Sequence, residues 1–209
     1  MKIIKITFLL IGILSLTSCA SGYQMIQPER INYVSSKQTE DVKLEYKYNL
    51  LNKKYSKKEY KKGVQLVSVK ITNNSDRDLM FGRDIKLAYT NGSEIDPMER
   101  EAVFRSLKQS EASYLWYLLL TPLQLNKMDA NGQVTSSTPI GLAVGPGIAG
   151  GNMIAAGSAN KKFKTELMNY DLNGVLIKKG ETKFGLVGIR TNSFNSLQLN
   201  ISEDLVATN

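Results

Sequence analysis

The chain has 209 residues, with 27 lysines and arginines against 19 acidic residues, no histidine and one cysteine. These counts exclude histidine-based triads, Cys-His dyads, histidine-ligated or cysteine-rich zinc sites and intrachain disulfides. The 42% hydrophobic and 22% charged residues are typical of a globular chain with one core of moderate size. The composition does not exclude metal sites made of oxygen ligands or catalytic pairs of carboxylates, but the sequence contains no motif for either. The sequence therefore predicts a protein that is not an enzyme, with no catalytic residue, cofactor or metal.

The N-terminus has the pattern of an export signal. A basic segment, 1–5, precedes an apolar stretch from Ile6 to Leu14. This stretch is too short for a spanning helix, which needs about 20 residues. The next motif, Leu16-Thr17-Ser18-Cys19, resembles the lipobox of bacterial lipoproteins position by position: an aliphatic residue, two small residues and the cysteine.

The lipobox resemblance implies that the signal peptide, 1–18, is cleaved before Cys19 and that Cys19 is acylated on its sulfur and its new amino group. Two or three acyl chains anchor a protein firmly, so Cys19 is predicted to be a membrane anchor. The alternatives are an uncleaved anchor and an ordinary signal peptide that is cut after Ala20. Ala20 is not the aspartate that retains such lipoproteins at the inner membrane, which favours the outer membrane.

A basic cluster lies early in the predicted mature chain, within the segment 53–62. Its six lysines, paired at a spacing of four, are Lys53, Lys54, Lys57, Lys58, Lys61 and Lys62. One interpretation is an exposed, mobile loop or hairpin tip. The other is a lysine-rich surface that contacts anionic headgroups or another acidic partner. Nucleic acid is excluded as a partner because an exported lipoprotein does not meet it.

The remaining chain is predicted to form one domain after a tether. The polar segment 19–40 is predicted to be a lipidated tether, and 41–209 is predicted to be a single β-sandwich domain. Residues alternate between apolar and polar at 42–48 and 64–71, which is typical of half-buried strands. Further strands are predicted near 78–89 and 175–201.

The order of strands and turns is similar to the immunoglobulin-like accessory domains of exported bacterial lipoproteins. The residues that carry this likeness are Asn73, Asn74, Ser75, Asn91, Gly92, Gly180, Glu181, Thr182 and Gly185. The likeness covers about half of the chain and implies an antiparallel immunoglobulin-like β-sandwich without catalytic residues. The fold class is therefore predicted to be mainly β, with an α insertion at about 97–172 that departs from this pattern.

The insertion is predicted to be a helical hairpin. A helix starts at Asp96-Pro97 and continues to Leu118, and the only charges between 112 and 160 are Lys127 and Asp129. Small residues recur every four positions in two series, a helix-packing face of Ala143, Gly147, Gly151, Ala155 and Ala159, and a second of Gly141, Gly145 and Ala149. Such a face lets another helix approach closely. The partner is the arm Tyr114–Leu120, a second copy of the chain, or the bilayer.

Two functions from different classes fit these features. The first is a membrane-anchored, non-enzymatic structural or interaction module of the bacterial cell envelope. The second is a membrane-active or self-associating lipoprotein that uses the uncharged, glycine-rich hairpin 112–160. The predicted partners are the membrane through the lipid on Cys19, an envelope protein or anionic lipid, and a second copy of the chain.

Overall fold

A computed structural model describes residues 20–202 of the chain. The predictions for the signal peptide and for Cys19 therefore lie outside the described residues. The described chain divides into two compact units. We call residues 23–108 and 161–202 the β unit, and residues 20–22 and 109–160 the hairpin unit.

The β unit is built from antiparallel strands in several small sheets. Its strands are β1 (Ser35–Thr39), β2 (Val42–Lys47), β3 (Val64–Asn73), β4 (Leu79–Met80), β5 (Ile85–Tyr89), β8 (Leu176–Ile177), β9 (Thr182–Arg190) and β10 (Leu197–Ile201). The main sheet has the order β1-β2-β3-β9, while β4 pairs with β8 and β5 pairs with β10.

The strands follow the predicted alternation of apolar and polar residues. Along β2, Val42, Leu44 and Tyr46 are buried, while Lys43 and the other intervening residues are partly exposed. The central strand β3 pairs on both sides, with β2 and with β9, and it is buried at nearly every position. The prediction of a β-rich fold is confirmed in its coarser form, a mixed α/β unit with antiparallel strands.

One hydrophobic core joins the separate sheets of the β unit. It contains Leu44, Val69 and Ile71 from the main sheet, together with Leu87 and Leu199 from the β5–β10 pair. Residues of the β4–β8 pair belong to the same cluster. The small sheets are therefore held together by side-chain packing as well as by backbone hydrogen bonds.

Three α-helices accompany the strands in the described part of the chain. They are α1 (Lys53–Lys62), α2 (Arg100–Leu107) and α3 (Gly141–Asn169), and two 3₁₀ helices span Pro28–Arg30 and Glu111–Leu120. Helix α3 supplies residues to both units. The last part of α3, after Asn160, buries Phe163 and Leu167.

The predicted continuous helix from Asp96 to Leu118 is wrong. Helix α2 ends at Leu107, and the chain resumes as the 3₁₀ helix Glu111–Leu120. Near the break, the Gln109 N–H donates to Asn160 Oδ1 at 2.8 Å, and Asn160 Nδ2 donates to the Gln109 carbonyl at 3.0 Å. These bonds take the backbone groups that a continuing helix would pair within itself.

The basic segment and the predicted tether also differ from expectation. The segment 53–62 is helix α1 and not a loop, because Tyr55 and Glu59, one turn apart, are buried on one side of it. The described part of the tether, 20–40, contains a 3₁₀ helix and the edge strand β1. Tyr23 and Pro28 are buried there, so this segment is part of the fold.

Candidate functional site

The hairpin unit exposes large apolar side chains on both of its arms. We call them the apolar surface: Leu115, Trp116, Leu118, Leu119 and Leu123 on the first arm, and Leu142, Val144 and Ile154 on α3. Trp116 is 73% exposed, Leu119 70% and Ile154 76%. Monomeric proteins rarely leave large apolar areas in water, and such areas usually mark an interaction site.

The segment between the two arms is a β-hairpin. Strand β6 (Leu125–Met128) pairs with β7 (Val134–Thr138), and every residue of both strands is exposed. Asp129 accepts hydrogen bonds from the N–H groups of Asn131 and Gln133, which closes the turn. Lys127 and Asp129, the two charges between residues 112 and 160, both lie in this exposed hairpin and its turn.

The two arms pack closely because α3 has glycines where they meet. A Cβ added at Gly145 would lie 3.0 Å from both the Tyr117 carbonyl oxygen and Thr121 Oγ1, and one at Gly141 would collide with the Leu120 carbonyl. Tyr114 and Ala156 are buried in the same unit. The hairpin unit is thus an intramolecular pairing of the arm Tyr114–Leu120 with α3.

The series predicted as the packing face points elsewhere. Ala143, Gly147, Gly151 and Ala155 are exposed, and a Cβ at Gly147 or Gly151 would meet no atom within 4 Å. Only Ala159 of that series is buried. The close approach uses the second series, Gly141, Gly145 and Ala149. Both series have the same spacing, so the sequence pattern does not tell which one faces the arm.

This difference gives a prediction with a matched control on the same helix. Gly145→Leu is expected to lower the free energy of unfolding by about 1–3 kcal/mol, because its side chain has no space beside Tyr117 and Thr121. Gly151→Leu is expected to raise it by up to about 1 kcal/mol, because leucine is the better helix former and the site is open. Thermal unfolding followed by Trp116 fluorescence measures both. Equal effects of the two changes would contradict this packing.

The start of the described chain is attached to the hairpin unit. The Ala20 N–H donates to Asn152 Oδ1 at 2.5 Å, and the Ser21 N–H donates to Gln109 Oε1 at 3.1 Å. Gln109 Nε2 returns a bond to the Ser21 carbonyl at 2.6 Å. Asn152 is itself oriented by donating to the Ile148 carbonyl at 2.9 Å. The residue that follows Cys19 is therefore fixed on α3, which the sequence alone did not indicate.

The six lysines of the basic cluster lie on α1 of the β unit. Four are exposed, whereas Lys54 and Lys58 are half-buried. Lys58 Nζ donates to the Lys108 carbonyl, and burial, followed by repulsion from the neighbouring lysines, lowers the pKa of Lys58. The interpretation of these lysines as a surface for an acidic partner stays a prediction.

A groove of 1170 Å³ opens on the β unit beside α2. The charged groups that line it include the ion pairs Lys86–Glu94 at 3.3 Å and Arg100–Asp171 at 3.0 Å. Within residues 20–202, no group of three or more acidic side chains could hold a metal ion. The apolar surface, with its large exposed side chains, and the adjoining N-terminal attachment are the candidate functional site.

No protein family model, curated protein or solved structure matches this chain. None of the helices between residues 20 and 202 combines the length and the apolar character needed to cross a membrane.

Proposed function

We propose that the protein is a lipid-anchored, non-enzymatic structural or interaction module of the bacterial cell envelope, more specifically of the outer membrane. The observation that carries this proposal is the lipobox-like Leu16-Thr17-Ser18-Cys19, directly followed by a residue built into the fold. Cleavage before Cys19 keeps Ala20 and its bond to Asn152, whereas cleavage after Ala20 would remove both. The geometry therefore favours the lipoprotein processing site.

The β unit is the part of the molecule that we propose to present to partners, as an immunoglobulin-like sandwich. The main sheet and the β5–β10 pair contribute side chains to one core, which supports two facing layers. The lysines of α1 give this unit a basic surface for an acidic envelope protein or an anionic headgroup. Neither role needs catalytic chemistry.

Replacing the proposed anchor tests this function. Cys19→Ala in the full-length protein is expected to abolish acylation, so that the protein either leaves the membrane fraction or accumulates as unprocessed precursor. Cell fractionation and intact-mass measurement decide it. The control is Ser18→Ala, which keeps a small residue at its lipobox position and should leave processing unchanged. A Cys19→Ala protein that stays membrane-bound at the processed mass would contradict the proposal.

A further inference from the structure

The apolar surface of the hairpin unit has a physical partner if the chain carries a lipid at residue 19. We propose that this surface lies against the same bilayer that holds the lipid, with the side chains of Trp116 and Leu119, which are one turn apart on the 3₁₀ helix, in the interfacial region. This inference rests on the proposed function, because it takes the lipid on Cys19 as the anchor. It adds the surface that touches the membrane and names the lipid bilayer as its partner.

Only a short stretch of chain separates the lipid from the hairpin unit. Cys19 is one Cα step of about 3.8 Å from Ala20, and Ala20 is bonded to Asn152 on α3. Asn152 follows Gly145 by about two helical turns, so it lies on the side of α3 that packs against the first arm. The acyl chains therefore start beside the face of α3 that the first arm contacts. With no free tether between them, the hairpin unit stays at the membrane surface.

The hairpin unit carries few charges. Its formal charges are Glu111 at the start of the first arm, and Lys127 and Asp129 in the β6–β7 hairpin and its turn. The exposed residues of α3 in this unit are apolar, small or uncharged, so contact with lipid would desolvate no ion there. Tryptophan has an apolar body with a polar N–H, which suits the membrane interface.

The depth of this contact follows from the structure of the arms. The first arm is the ten-residue 3₁₀ helix Glu111–Leu120, and the helices described between residues 20 and 202 include none that could cross a membrane. Large apolar residues alternate with glycine and alanine on the exposed parts of α3. The hairpin unit is therefore suited to lie along the interface, with its large side chains inserted among the headgroups and upper acyl chains.

Trp116 is the only tryptophan of the chain, and it lies on the proposed contact surface, so it reports directly on this contact. The full-length protein, purified after export with its acyl groups verified by intact mass, is reconstituted into phosphatidylcholine–phosphatidylglycerol vesicles. We expect a blue shift of Trp116 emission, loss of its fluorescence with brominated acyl chains, and protection from acrylamide in the water phase. Quenching by acrylamide without quenching by brominated lipid would overturn the inference.

Charged substitutions locate the contact. Leu119→Glu is expected to reduce quenching by brominated lipid while the acylated protein still floats with the vesicles. The matched controls are Ile154→Glu, on the side of α3 that faces away from the first arm, and Val34→Glu in the β unit, since both residues are 76% exposed. Both controls should leave the quenching unchanged. Equal quenching in the wild type and Leu119→Glu would contradict the proposed surface.

The outcomes separate this inference from the function on which it rests. An exported protein without acyl groups would overturn both. An acylated, membrane-bound protein whose Trp116 is not quenched by brominated lipid would overturn only the bilayer contact. If Trp116 is shielded from both quenchers and crosslinking yields dimers in the vesicles, a second copy covers the surface, and the inference is wrong.

Discussion

Replacing Glu166 with leucine is expected to lower the free energy of unfolding by about 3–5 kcal/mol, because one buried and two part-buried donors would lose their acceptor. The Glu166 carboxylate is fully buried and accepts from the Tyr23 hydroxyl at 2.5 Å and from the N–H groups of Ile26 and Gln27 at 2.8 and 2.9 Å. Leucine fills the space but accepts no hydrogen bond. Urea unfolding followed by circular dichroism measures the change.

Glutamine at the same position provides the control. In Glu166→Gln the amide oxygen can still accept from Ile26 and Gln27, and the Tyr23 hydroxyl can turn to accept from the amide nitrogen. The expected loss is therefore smaller, about 1–2 kcal/mol. A Glu166→Leu protein as stable as the wild type would show that the carboxylate does not hold the N-terminal segment.

Glu166 holds the N-terminal segment through Tyr23. The Tyr23 ring lies 5.1 Å from that of Tyr55 and 5.2 Å from that of Phe163, centroid to centroid, so the N-terminal segment joins an aromatic cluster. Burial, and then the hydrogen bond to Glu166, raises the pKa of Tyr23 far above its usual value, so the hydroxyl remains a donor. The segment predicted as a tether is thus fixed in the β unit from Tyr23 onward.

The strands could be predicted because their signal is local. Val42, Leu44 and Tyr46 face one core, so burial on one face of a strand leaves a period of two in the sequence. Strand β1 could not be predicted in this way. It is an edge strand whose residues, Ser35–Thr39, are polar on both faces, and it exists because β2 offers its backbone for pairing.

The hairpin unit shows where local patterns stop being informative. The glycine spacing on α3 correctly indicated a close approach, but two equivalent series were present, and the choice of Gly145 over Gly151 depends on the rotation of α3 relative to the first arm. The chain after α2 is held by a bond from the Gln109 N–H to Asn160, 51 positions away. The N-terminal attachment to Asn152 is of the same kind.

Helix α1 shows why a charge run can hide a buried group. Its lysines dominate the pattern, and the inward stripe consists only of Tyr55 and Glu59. Glutamate is rarely buried without a partner. Here the Glu59 carboxylate accepts from the Leu66 N–H at 2.8 Å, a contact that depends on how β3 follows the helix. The sequence could not indicate that this acid, among so many lysines, is inside.

The buried carboxyl of Glu59 is expected to make the protein less stable as the pH rises from 5 to 8. Burial raises the pKa of Glu59 from 4.5 to about 7, and the hydrogen bond from Leu66 lowers it by less. The folded state therefore binds a proton that the unfolded state has released above about 4.5. The stability that this proton adds to the folded state is fully present below pH 4.5 and is lost as the pH rises through 7. The expected decrease in the free energy of unfolding is about 2–3 kcal/mol.

The chain has no histidine, so no imidazole titrates between pH 5 and 8 and obscures the effect of Glu59 on stability. The pKa values of Glu45 and Asp84 are lowered, chiefly by hydrogen bonds from Lys70 and Arg83, so both remain ionised there. Glu59→Gln keeps an acceptor for Leu66 and cannot ionise. Its unfolding free energy, measured by urea titration at each pH, should be constant across the window and exceed that of the wild type at pH 8. Parallel pH profiles of the two proteins would show that Glu59 does not titrate in the folded state as proposed.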